Sequence, residues 1–76
     1  MDLQKFTLSD GYNVTAEILT PSGTIRVEAE IMGAGLPAHI DSVTWMDSGA
    51  DASMEVSQQL DDVRAIIEDG TIKAMA

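Results

Sequence analysis

The sequence predicts an α+β fold: a three- to four-stranded antiparallel β-meander with one α-helix packed on its apolar face. Three observations carry this. Residues 12–19 and 24–31 alternate apolar and polar side chains, the period-two pattern of half-buried strands. Ser9-Asp10-Gly11 and Thr20-Pro21-Ser22-Gly23 are turn signals separating these runs from each other and from a first apolar segment. Val56, Leu60, Val63 and Ile67 fall at i, i+4, i+7 and i+11, a single helical stripe. Sheet face and helix stripe each need cover from water, and laying one on the other is the simplest solution.

Residues 3–8 read as the first strand, with Phe6 and Leu8 on one face. A three-residue loop, Ser9-Asp10-Gly11, pairs Leu8 with Tyr12 and Phe6 with Val14; a two-residue Asp10-Gly11 loop would put Phe6 against Thr15, on the wrong face. In the second strand Tyr12, Val14, Ala16 and Ile18 alternate with Asn13, Thr15 and Glu17. A four-residue loop over 20–23 then sets Ile18 against Ile25, Ala16 against Val27, Val14 against Ala29 and Tyr12 against Ile31. Glu17 falls opposite Arg26 on the other face, an ion pair worth ~0.2–1 kcal/mol. A slip of one residue would destroy this agreement. By parity Leu19 and Met32 lie on the polar face.

Gly33-Ala34-Gly35-Leu36-Pro37 breaks the chain, and residues 38–46 form a fourth strand with Ile40, Val43 and Trp45. The phase slips between Ile40 and Val43, which places a bulge near Asp41-Ser42. After the Asp47–Asp51 loop the helix starts between Asp51 and Ser57, with Asp51 or Ser53 as N-cap candidates, and Gly70 stops it. Residues 71–76 are read as a short C-terminal strand or a frayed end.

The chain has 76 residues, no cysteine, and thirteen acidic against four basic side chains, a formal charge of −9. Its length corresponds to one domain, residues 1–76. A domain this small buries only about 60% of its unfolded surface, and no disulfide or cysteine-based zinc site supports it. Direct nucleic-acid binding is disfavoured, because gripping phosphates requires Lys and Arg. Anionic membranes would repel the chain, and no apolar run approaches the ~20 residues that span a bilayer. Met1-Asp2-Leu3-Gln4-Lys5 lacks a basic stretch leading into an apolar one, so a cytoplasmic location is expected.

Catalytic signatures are missing. His39 is followed by Asp41 and Ser42, but in a regular strand Ser42 would point away from both, and no nucleophile elbow surrounds it. Asp47, Asp51, Glu55, Asp61, Asp62, Glu68 and Asp69 are the densest acidic set, yet their spacing is not that of a calcium loop. Asn13-Val14-Thr15 matches a glycosylation sequon by chance inside a strand, and Gly33-Ala34-Gly35 lacks the third glycine of a dinucleotide fingerprint. No enzyme activity, cofactor or metal is expected.

The electrostatics suggest a function instead. Residues 41–76 carry eight acids and two bases, residues 1–40 five acids and two bases. Such a field attracts a basic protein surface and speeds encounter with it. Carboxylates standing in for phosphates can fill the groove where a partner holds DNA or RNA. The candidate contacts are Glu17, Glu28 and Glu30 on the sheet, or Asp61, Asp62, Glu68 and Asp69 on the helix, with Trp45 and Met46 as apolar anchors. In size, acidity and missing cysteine the profile resembles, as a class and without any shared motif, the small acidic phage proteins that inhibit host defence, such as anti-CRISPR proteins, and small virion assembly proteins. That resemblance implies an inhibitor acting by nucleic-acid mimicry on a basic, nucleic-acid-binding partner. The alternative is an assembly subunit that oligomerises through its sheet edges.

Overall fold

The two alternating segments pair in the register that brings every apolar partner onto one face. In the computed structural model, which describes residues 1–75, strands β1 (Asp2–Ser9), β2 (Asn13–Thr20), β3 (Gly23–Ile31) and β4 (Ala38–Trp45) lie side by side in chain order. All neighbours are antiparallel, and the sheet is open. Ile18 faces Ile25, Ala16 faces Val27 and Val14 faces Ala29, and all six are buried. Each of the larger ones contributes roughly 1.5–3 kcal/mol by leaving water. The β2–β3 strands run further into the turn than expected: Thr20 pairs with Gly23, leaving only Pro21-Ser22 as the bend, with the register unchanged. The Thr20 hydroxyl donates to the Gly23 carbonyl at 2.7 Å and accepts from the Ser22 amide at 3.2 Å, which closes the turn. Leu19 and Met32 are exposed, as parity requires.

The first hairpin departs from its expected register by two residues. Leu8 pairs with Val14 and Phe6 with Ala16, and the loop is Asp10-Gly11-Tyr12 rather than Ser9-Asp10-Gly11. Asp10 (φ 54°) and Gly11 (φ 80°) both take positive φ, the backbone pair that an Asp-Gly turn of the primed kind requires. The Tyr12 amide donates back to the Ser9 carbonyl at 3.2 Å. A shift of two preserves the faces, so Phe6 and Leu8 still pack on the core. Its consequence falls on Tyr12, which leaves the strand and is 47 % exposed. A further irregularity at Gln4 lets Leu3 meet Ile18 while Lys5 meets Glu17.

The expected bulge in β4 is present. Glu28 pairs with Ser42 but Ala29 pairs with Ile40, so Asp41 is the extra residue. It keeps Val43 and Ala38 buried on the same side of the sheet despite their odd separation in the chain.

The helical region differs from expectation at both ends. The α-helix proper, α1, spans Leu60–Met75. A single turn over residues 53–56 and a 3₁₀ turn over Ser57–Gln59 precede it. Asp51 accepts from the backbone amide and hydroxyl of Ser53 and so caps that first turn, not the α-helix. At the other end, Gly70 does not stop the helix. It is buried inside it, and Thr71, Ile72, Lys73, Ala74 and Met75 continue it, so they form neither a strand nor a frayed end; Ala76 lies outside the described residues. The physical reason is a close approach: a methyl group at Gly70 would sit 2.8 Å from Cδ2 and Cε2 of Phe6. Glycine lets the helix settle onto β1. Thr71 behind it is fully buried and returns its hydroxyl to the Ile67 carbonyl at 2.8 Å. Val56, Val63 and Ile67 complete the buried stripe, with Leu60 packed at its edge. Among the described residues no helix is long and apolar enough to cross a membrane.

Candidate functional site

With α1 on one face of the sheet, the other face is left open. Directly opposed residues share a face, and successive residues alternate, so the open face reads as three cross-strand rows. The first is Lys5, Glu17, Arg26, Thr44; the second Thr7, Thr15, Glu28, Ser42; the third Ser9, Asn13, Glu30, His39. The rows separate the three sheet acids. Glu17 stands between Lys5 and Arg26, with the Arg26 guanidinium 4.0 Å from its carboxylate, so its charge is compensated locally. Glu28 and Glu30 stand in rows without a Lys or Arg.

The β4 bulge then adds to this end of the face. Because Asp41 is the extra residue, His39 and Ser42 both point to the open side, opposite Glu30 and Glu28. Ser42 donates its hydroxyl to Glu28 at 3.2 Å, and the His39 ring lies 3.4 Å from the Asp41 carboxylate. Ser42 therefore does not point away from His39, as a regular strand would have had it, yet its hydroxyl donates its hydrogen bond to Glu28. His39 is strongly exposed, and no acid–base–nucleophile chain forms. A shallow depression of ≈ 230 Å³ sits at the bulge, lined by Asn13, Val14, Thr15, Glu28, Ala29 and Asp41. Carboxylates and hydroxyl or amide oxygens converge there, a lining suited to Lys or Arg side chains.

Sequence reasoning did not include Asp41, His39, Asn13, Thr15 or Ser42 among the binding residues. The signal was available in the bulge: one extra residue at position 41 restores 39 and 42 to the same face.

The helix acids lie across the core from this face, and local duties account for most of them. Asp61 and Asp62 occupy the first turn of α1, where the helix dipole favours negative charge. Asp61 pairs with Arg64 at 3.6 Å and Asp69 with Lys73 at 3.0 Å. Glu68 is half-buried and accepts the Ala38 amide at 2.9 Å, tying α1 to the start of β4. Asp62 makes no ion pair among the described residues.

Trp45 and Met46 belong to neither acidic set. Trp45 pairs with Ile25, so it sits on the core side, packed against the cluster and touching the Gly23 position. With Met46, Asp47, Thr24 and Ser22 it lines an open cleft of ≈ 570 Å³ at the far end of the sheet. Trp45 lies six positions along β4 from His39, roughly 20 Å of extended chain. Met54 is 87 % exposed in the turn before the 3₁₀ segment. Among the described residues, no cluster of three or more His, Asp or Glu could hold a metal ion.

The surroundings of Asp51 alter its acidity. Hydrogen bonds from the Ser53 hydroxyl and then the Ser53 amide hold its carboxyl below the ordinary aspartate value. Comparison with protein families, curated proteins and solved structures gives no match to this chain.

Proposed function

We propose that the protein is a non-enzymatic interaction module whose open sheet face docks onto a basic protein surface and keeps nucleic acid off it. One observation carries this reading: Glu28 and Glu30 share the open face of the β3–β4 end with no Lys or Arg in their rows, and Asp41 lines the same depression as Glu28. The helix acids are the weaker candidate, being paired with cations, placed in the first turn or tied to β4. A flat sheet face bearing carboxylates and hydroxyls offers a basic surface what a phosphate backbone offers, charge and acceptors in a row. The net charge of −9 adds long-range steering and repels competing nucleic acid. The site of action would be the cytosol, where nucleic-acid-binding proteins are abundant.

The test is capture of partners from the native host with the wild-type protein, with Glu28→Lys/Glu30→Lys and with Asp61→Lys/Asp62→Lys. A nucleic-acid-binding protein held by wild type, released by moderate salt and lost with the sheet pair alone is expected. Its capture should also displace its bound oligonucleotide. Retention by the sheet pair, or loss with the helix pair only, refutes the assignment of the face.

A further inference from the structure

The two edges of the sheet are not equivalent. The β4 edge is occupied: the Trp45 amide donates to Ala50 at 2.9 Å, Gly49 donates to the Trp45 carbonyl at 2.8 Å, and Ala52 donates to the Val43 carbonyl at 2.9 Å. Asp51 bridges Thr44, and Glu68 takes the Ala38 amide. The β1 edge has no such cover among the described residues.

Which of its groups are free follows from the ladder. The Ile31 amide donates to Tyr12, so in β2 the even residues bond to β3 and the odd ones to β1. Ser9, Thr7 and Lys5 are the partners of those odd residues. The amides and carbonyls of Phe6 and Leu8 therefore point outward.

We propose that β1 pairs antiparallel with β1 of a second copy, Thr7 facing Thr7 across the twofold axis. In this register Phe6 and Leu8 of one copy exchange backbone hydrogen bonds with Leu8 and Phe6 of the other. On the core side those half-buried side chains meet as aromatic–aliphatic pairs, which continues the apolar layer across the boundary. On the open side Lys5 meets Ser9, so no like charges face each other. Shifting the axis to Lys5 would oppose two lysines, and shifting it to Phe6 would run Leu8 into the irregularity at Gln4.

Charge singles out a second copy as the occupant. A molecule of net charge −9 repels itself over most of its surface. The β1 strand contains only Asp2 and Lys5 as charged residues and is neutral. A basic partner gains nothing there, whereas an identical strand meets no repulsion. With β4 occupied, addition happens once and gives a closed pair, not a fibre. Pairing from Lys5 to Ser9 is short, so the dimer is a weak one that populates at high protein concentration.

The absence of cysteine permits a clean test. Thr7 is exposed, so its substitution is expected to leave the fold intact. Thr7→Cys should form a disulfide-linked dimer under mild oxidation at least about tenfold faster than Lys5→Cys or Ser9→Cys, since only position 7 meets itself at a close non-hydrogen-bonded pair. In sedimentation equilibrium the wild type should associate with rising concentration, and Thr7→Lys should weaken that association by at least about tenfold. Equal cross-linking at all three positions, or a wild type monomeric at about 1 mM, overturns the proposal. Association that Thr7→Lys leaves untouched overturns it as well.

Discussion

Gly70 shows how one residue type can carry opposite meanings. Near the end of an apolar stripe, glycine is the usual helix terminator. Here it is a packing residue, and its missing side chain is what Phe6 occupies. Nothing in the linear sequence places Phe6, sixty-four residues earlier, against position 70. Gly70→Ala gains about 1 kcal/mol of helix propensity but drives a methyl into the ring, at a cost of typically 1–3 kcal/mol. A net loss of about 1 kcal/mol is expected in urea unfolding. In a Phe6→Leu background the same change should become neutral or stabilising, and the double-mutant cycle reads that coupling directly. Asp51 yields a prediction in pH. Its folded pKa lies below the ordinary value of 3.8, so its contribution is complete above that value and is lost as pH falls through the lowered one. Asp51→Asn should remove this acid-range dependence. The turn it caps also covers the β4 edge, so amide exchange at Ala52 and Trp45 should rise in wild type as Asp51 protonates.

At the scale of elements, legibility followed the strength of the local pattern. The β2–β3 register was readable because apolar pairs on both strands fix it independently. The first hairpin was readable only in its faces. Two three-residue loops offset by one position shift the register by two and both keep Phe6 and Leu8 on the core side, and the choice rests on Asp10 accepting positive φ, a backbone property that the apolar pattern does not encode. The β4 bulge was legible from a slipped phase, but its functional effect was not drawn from it: Asp41 brings His39 and Ser42 round to the acids of β3. Deleting Asp41 tests this. With no extra residue, either Ala38 and Ile40 or Val43 and Trp45 must leave the core side. A loss of at least about 2 kcal/mol in unfolding is expected, together with loss of the His39–Glu30 pairing seen as cross-strand contacts by NMR. An unchanged stability would mean that the strand slides without consequence.

For the molecule as a whole, the charge map decides more than the charge total. Composition alone left two acidic sets indistinguishable. Folding places them on opposite sides of the core, gives the helix set ion pairs, first-turn positions and a tie to β4, and leaves Glu28 and Glu30 exposed without a Lys or Arg in their rows. Glu17, though on the same face, is held between Lys5 and Arg26. Glu17→Gln should therefore change binding to a basic ligand less than threefold, whereas Glu28→Lys/Glu30→Lys should weaken it by at least about tenfold, or ~1.4 kcal/mol. The effect should shrink as salt rises, because exposed charges are screened beyond ~10 Å at 0.1 M. The most direct measurement is an NMR titration of the labelled protein with a deca-arginine peptide at low and high salt. The expected shifts cluster on Asn13, Thr15, Glu28, Glu30, Asp41 and Ser42 and vanish at high salt. Shifts confined to Asp61, Asp62 and Asp69, or no localised shifts at all, would contradict docking through the open face.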